Sequence, residues 1–341
     1  MGIYAQAAIC ILSGRPYDSH WEAIFKDLDN VSLFRLSLGS PEMFKVVMTY
    51  VRLNQPNSSS VDEVRVGGPQ DLLSRIPTDI LAEIMQYLPL SSRRKLAKAS
   101  RKFAALGARE LQAGVTRLLS AFGLYHSEVR FMQTATGAIL SGRVIPYLVD
   151  YTHAVDSLDF YAPDYSYRWV MTFFELATKK KPKYGYQSLL RGVRGSASFL
   201  RSDAKDCQNS HWIRVLQSQT DSALDCITYL PFSHLFGAVT AYGAWFGYPD
   251  TSAEGETFPN RACMDLGTML ADSEVRAVVD EWIDRYRFSV GSLAWHTCGT
   301  DFECPATPRA TDDAGLHRDE VVILLGLVQQ PRWCAAEERS L

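Results

Sequence analysis

The 341-residue sequence predicts an α+β or mixed α/β chain, in which a helical module precedes a domain built on a small mixed sheet packed by helices. Three observations carry that expectation. Between residues 72 and 112, apolar side chains recur at helical spacing in two runs separated by a Pro–Ser break. Beyond residue 112, helical stretches alternate with short apolar runs closed by Gly or Pro, the pattern of strands joined by helices. Residues 54–70, NQPNSSSVDEVRVGGPQ, carry too little apolar surface to order themselves and read as a linker.

Composition narrows the classes. A hydrophobic content of 47% with 21% charged residues belongs to a globular chain rather than a disordered one. The net charge of −3 gives no general attraction for nucleic acid or an acidic membrane, so neither is expected as a partner. Seven cysteines form no dense framework and point to reduced thiols inside the cell, in the cytoplasm or nucleus. The opening IYAQAAICIL is apolar but short and lacks a basic flank, so neither a signal peptide nor a membrane span is expected there.

Residues 1–53 read as a helical extension, with one run through Trp21, Ile24 and Leu28 and another through Leu36, Met43, Val47 and Tyr50. Ile24, Leu28, Leu36 and Ser40 match Ile84, Leu88, Leu96 and Ser100 at a constant offset of 60, a faint internal repeat. In the module at 71–112, Leu73, Ile76, Ile80, Ile84 and Leu88 share helical spacing, and Pro77 stands where a helix begins, since the first turn needs no N–H from it. After a break at 89–92, a second amphipathic run passes through Leu96, Ala99, Ser100 and Phe103. The arrangement Leu73-x-x-Ile76-Pro77-x-Asp79-Ile80-Leu81-x-x-Ile84-x-x-Tyr87-Leu88 resembles the F-box, a helical module that docks on the Skp-type adaptor of cullin-based ubiquitin ligases. The resemblance implies an adaptor-binding face on Leu73, Ile76, Pro77, Ile80, Ile84, Leu88 and Leu96. The offset repeat offers residues 1–53 as a degenerate second copy, and a mis-spliced or extended N-terminus accounts for it equally well. An ordinary helical hairpin packed on its own domain is the competing reading.

The domain at 113–330 opens with an expected helix at 115–125. Strands are expected at 136–139, 157–161 and 213–216, and helices at 169–178, 233–242 and 275–286, with 223–230 following the third strand and 331–341 as a tail. Ser141-Gly142-Arg143, an apolar run through Val144, Ile145 and Leu148, and Ser157-Leu158-Asp159-Phe160-Tyr161-Ala162-Pro163 resemble a family of fungal, basidiomycete-type proteins of uncharacterised function. Two later blocks, ITYLPFSHLFGAVTAYGAWFGY and HTCGTDFECPATPRATDDAG, continue the likeness in order. A Gly-Ser turn followed by Asp-x-Asp also resembles the nucleotidyltransferase pattern. There the turn holds a triphosphate, and paired carboxylates bind two divalent ions that clamp phosphoryl transfer.

This chain departs from that pattern. Arg143 stands at the hydroxyl position, Ser157 replaces the first carboxylate, and Asp156 is out of register. If the strand at 213–216 supplies the third acid, Arg214 occupies its place. Asp159 and Gly142 are therefore expected as a remnant in a pseudoenzyme that needs no cofactor, rather than as a working site. His296, Cys298, Cys304 and His317 offer zinc-type ligands at irregular spacing, and free thiols are expected instead. Lys179, Lys180, Lys181 and Lys183 read as a solvated helix end stopped by Pro182 rather than a nuclear signal. Arg93, Arg94, Lys95, Lys98, Arg101 and Lys102 read as the wet face of the second module helix. No nucleophile motif or phosphate loop is present. The expected function is a non-catalytic adaptor between a Skp-type protein and a second, unidentified protein. The alternatives are a divergent nucleotidyltransferase acting around Asp159 and a binding module unrelated to ubiquitination.

Overall fold

The computed structural model describes residues 25–54, 76–88, 90–99, 101–150, 155–185, 192–201, 211–247, 252, 255–257, 289–290 and 316–319. The linker at 54–70 (apart from Asn54), the helix expected at 275–286, the tail, and the candidate ligands His296, Cys298 and Cys304 lie outside these residues.

Among the described residues, two helices come first. α1 (Asn30–Ser37) starts at Asp29, whose carboxylate accepts from the Ser32 amide at 2.7 Å. That bond holds Asp29 below its ordinary pKa. α2 (Pro41–Leu53) starts at Ser40, whose hydroxyl accepts from the Met43 amide at 3.1 Å, with Pro41 in the first turn. The module follows as α3 (Thr78–Tyr87), α4 (Leu90–Ala99) and α5 (Arg101–Ala121). The second amphipathic run thus divides between α4 and α5. The helix expected at 115–125 is the far half of α5, and the boundary expected after residue 112 falls inside it. Leu111, Val115, Leu118 and Leu119 carry that far half into the main core.

α6 (His126–Thr136) takes residues 126–136 and ends on Gly137, whose φ of 70° is the left-handed cap that glycine adopts freely. The strand expected from Thr136 therefore begins later, as β1 (Ile139–Ser141). Then come α7 (Val144–Asp150), β2 (Ser157–Ala162), a 3-10 turn at Asp164–Ser166, and α8 (Tyr167–Thr178). β3 (Lys183–Gly185), β4 (Val193–Arg201), β5 (His211–Ser218) and α9 (Leu224–Thr228) follow. The helix expected at 233–242 is instead a 3-10 turn, Ser233–Leu235, leading into a hairpin of β6 (Gly237–Val239) and β7 (Ala244–Gly247). Both faces of these strands are buried, so the sequence there lacks the alternation that marks a strand. β8 (Glu256–Thr257) pairs with β9 (Ser289–Val290), and β10 (Leu316–Asp319) joins β7.

The large sheet has the order β10-β7-β6-β1-β2-β5-β4-β3. β2 and β5 run parallel, and the other pairs are antiparallel. Because strand side chains alternate, its two faces bury different sets. Leu140, Leu158, Phe160, Ala197, Phe199, Ile213 and Val215 enter the main cluster with residues of α1, α2, α5, α6, α7 and α8. Ile139, Tyr161, Leu216, Ala238 and Trp245 face the other way, toward Cys226, Ile227, Leu230, Phe232 and Leu235. Cys226 lies in that second core, where burial pushes its thiol up to about 11 and keeps it protonated at neutral pH.

α1 and α2 belong to the main core rather than standing apart from it. Phe34 meets Phe131 of α6 and Phe173 of α8 at centroid distances of 5.6 and 6.1 Å, and Phe44 meets Phe173 at 5.6 Å. Arg35 lies 4.5 Å over Trp169, while Arg52 lies 3.8 Å over Tyr125 and its Nε donates to buried Glu128 at 2.6 Å. Burial raises the Glu128 pKa, with Arg52 opposing the shift. Among the described residues, no helix is long and apolar enough to cross a membrane.

Candidate functional site

α3 has two different long faces. Leu81 and Met85, four residues apart, turn inward and pack with Phe103 and Leu106 of α5 in a small cluster of their own. One residue earlier on each turn, Ile80 and Ile84 turn outward and are 44% and 42% exposed, and Tyr87 is 81% exposed. Pro77 is exposed beside them. Ile76, Leu88 and Leu96 are half-buried against the Leu81–Met85 cluster. The residues expected to form one contact face are thus divided: Pro77, Ile80 and Ile84 look outward, while Ile76, Leu88 and Leu96 support the module from within. Leu73 lies outside the described residues. Tyr87 adds the largest exposed surface to the outer stripe; its place one turn after Ile84 was the available signal.

A groove of about 480 Å³ runs between α3 and α5, lined by Asp79, Ala82, Gln86, Leu106, Arg109 and Glu110, among others. Glu110 is buried and paired with Arg117 at 2.6 Å. The groove shares no residue with the stripe, so Pro77, Ile80, Ile84 and Tyr87 form a separate exposed apolar surface, suited to a protein partner.

The expectation that Arg93 belongs to a wet basic face is corrected by its position. Arg93 is 2% exposed, and its Nη2 donates to the carbonyls of Leu148 and Val149 at 3.3 and 3.4 Å. These carbonyls belong to the last turn of α7, where no further helical amide can reach them and a cation is favoured. α4 is thereby fastened to the sheet domain. Lys95, two residues on, is exposed as expected.

The second candidate site lies on the sheet. Asp159 is in β2, and β5 sets Arg214 directly opposite it. Arg214 Nε donates to Asp159 Oδ1 and Nη2 to Oδ2, both at 2.6 Å, a two-pronged pair. The Asp159 side chain is 5% exposed and that of Arg214 34%, so the carboxylate is sealed while part of the arginine side chain stays exposed. The carboxylate raises the Arg214 pKa further above its ordinary value. Gly142, at φ 74°, borders the same carboxylate: a Cβ there would stand 3.0 Å from Asp159 Oδ2. Arg143 beside it pairs with Asp156 at 3.0 Å. Tyr161 lies on the same face, and its hydroxyl is held well above its ordinary pKa, first by burial and then by Asp159. The Ser157 hydroxyl is buried with no hydrogen-bond partner among the described residues.

Chemically, both Asp159 oxygens are engaged by a fixed cation, so a divalent ion would have to displace a guanidinium and would find only a hydroxyl at Ser157. Among the described residues, no group of three or more His, Cys, Asp or Glu side chains is placed to hold a metal ion. His317, from the expected zinc set, lies in β10 opposite Phe246.

Residues 73–108 match the family model of the F-box domain, a stretch that takes in α3, α4 and the opening turns of α5. No curated protein matches the chain, and no solved structure matches it. The helices whose outer face was described above therefore constitute an F-box domain.

Proposed function

We propose that this protein is a non-catalytic adaptor that seats a Skp-type protein of a cullin ubiquitin ligase on α3 and presents a second protein through its sheet domain. The observation that carries the reading is the outer stripe Pro77, Ile80, Ile84 and Tyr87, exposed on a helix whose inner residues Leu81 and Met85 are buried. The F-box match over the same helices supports the choice of partner. This role puts the protein inside the cell, in the cytoplasm or nucleus. Titrating purified Skp-type adaptor into the full chain tests it. The double substitution Ile80→Ala and Ile84→Ala is expected to weaken binding at least about 100-fold, as loss of two central anchors does, with the unfolding temperature unchanged. Unaltered binding by the double variant overturns the assignment of the docking face. If the unsubstituted chain does not bind the adaptor at all, a binding module unrelated to ubiquitination becomes the better reading.

For the sheet domain, we infer a nucleotidyltransferase-like scaffold whose metal chemistry has been replaced by an internal ion pair. The reading draws on the antiparallel β1–β2 and parallel β2–β5 pairing, the contact of Gly142 with Asp159, and the capture of both Asp159 oxygens by Arg214. Calorimetry with magnesium and ATP or GTP is expected to show no binding. Binding that disappears in Asp159→Ala would overturn the scaffold-only reading.

A further inference from the structure

The helices before the linker repeat the F-box layout at a fixed distance in sequence. α1 begins at Asn30 and α4 at Leu90, while α2 begins at Pro41 and α5 at Arg101, both 60 residues apart. Matched positions do the same internal work. Phe25 and Met85 are buried, as are Met43 and Phe103. Leu28 and Leu88 are half-buried against their clusters, as are Leu36 and Leu96. Val46 is half-buried where Leu106 is buried. Two independent features, element starts and inward positions, thus follow one offset.

The outward positions do not correspond. Phe34, Arg35, Phe44 and Arg52, which fasten α1 and α2 to α6 and α8, match Arg94, Lys95, Ala104 and Gln112. Lys95 and Ala104 are exposed. Conversely, the sequence has His20 and Asp27 where the docking helix has Ile80 and Tyr87. A sequence with His and Asp at these two positions lacks two of the apolar anchors of α3.

We propose that residues 25–53 belong to a second F-box-type unit that has been turned to serve the protein's own domain, so that the chain presents one adaptor-docking surface and not two. The single-surface part rests on the adaptor reading above; the inward attachment does not. Native mass spectrometry of the full chain with an excess of purified Skp-type adaptor is expected to give one adaptor per chain. Ile24→Ala, at the position matching Ile84, is expected to leave affinity within about twofold, whereas Ile80→Ala with Ile84→Ala removes binding. Two adaptors per chain, or binding by the double variant that is lost only when Ile24 is also changed, overturns the proposal. In a separate arm without adaptor, Phe44→Leu is expected to lower the unfolding temperature of the chain by a few degrees and Phe34→Ala by about 5 °C or more. If Phe34→Ala does not yield folded protein, Phe44→Leu still decides. An unchanged unfolding temperature in Phe44→Leu removes the inward attachment. Absence of any adaptor binding, with the unfolding temperature lowered as stated, sinks the adaptor role while the attachment stands.

Discussion

The α1–α2 pair and the α3–α5 module share an inner plan, yet one is sealed into the main core and the other keeps a stripe in solvent. In the first, Phe34 and Phe44 lie among Phe131 and Phe173. In the second, the equivalent outer positions carry Arg94 and Ala104, and its own small cluster of Leu81, Met85, Phe103 and Leu106 does the inner packing. Amphipathic helices can therefore be committed to a neighbour or left available by a few outward side chains, without changing what holds the unit together. The module also differs in how it is fixed to the domain. It relies on a shared helix, α5, and on the Arg93 guanidinium at the end of α7, rather than on aromatic contacts.

The sharpest break of that comparison is a pair of single substitutions. Phe34→Ala is expected to cost about 3–5 kcal/mol of folding stability, the range for emptying an aromatic site in a core. Ile84→Ala is expected to stay within about 0.5 kcal/mol, as exposed sites do. Urea unfolding followed by circular dichroism measures both, and equal costs would erase the distinction. Next comes Arg93→Ala, expected to cost about 2 kcal/mol because charged hydrogen bonds to buried carbonyls are lost. Its signature is early loss of protection in α4 and the end of α7 by hydrogen exchange. Asp159→Asn should cost less, about 1–2 kcal/mol, because the amide oxygen can still accept one of the two Arg214 hydrogen bonds.

The smallest effect concerns pH at the seam beside α2. Burial lowers the pKa of His126 from its ordinary 6.5, with Arg130 adding to the shift. The unfolded chain therefore binds this proton more readily, so stability is present above pH 6.5 and falls as pH drops below it. Glu128 acts with the opposite slope in its own range. Its raised pKa makes the folded chain bind the proton more readily, so its ionisation lowers stability as pH rises through the carboxylate range. The two windows oppose each other in direction with pH: acid below 6.5 weakens the fold through His126, while acid in the carboxylate range relieves Glu128. His126→Gln is expected to flatten the unfolding-temperature profile between pH 5 and 6.5, and an unaltered profile would place that titration elsewhere.

Much of the helical layout is legible in the sequence because a 3.6-residue period survives on helices with one wet face. Thr78–Tyr87 and Tyr167–Thr178 are such cases, and β2 is marked by its apolar run before Pro163. The hairpin at Gly237–Gly247 is not legible, since it is buried on both faces and its Leu, Phe and Val spacing imitates a helix. β4 is obscured for another reason: Gly195, Ser196 and Ser198 dilute it, and its pairing slips between Val193 and Gly195. Of the docking residues, the motif names Ile80 and Ile84 but also Ile76, Leu88 and Leu96, because an apolar pattern does not say which side of a helix is already covered.

By itself the sequence determines that an F-box pattern is present, that the carboxylate set near Gly142 is depleted, and that residues 24–40 echo residues 84–100. These are statements about residue type and spacing, which local periodicity and chemistry preserve. Only the tertiary structure decides that Arg93 is an internal clamp, that Arg214 takes both oxygens of Asp159, and that Phe34 and Phe44 face the protein's own core. The reason is physical. A cation or an aromatic ring has the same local preferences whether it meets water or a partner across the fold, and that partner is 55 residues away from Arg93 and from Arg214.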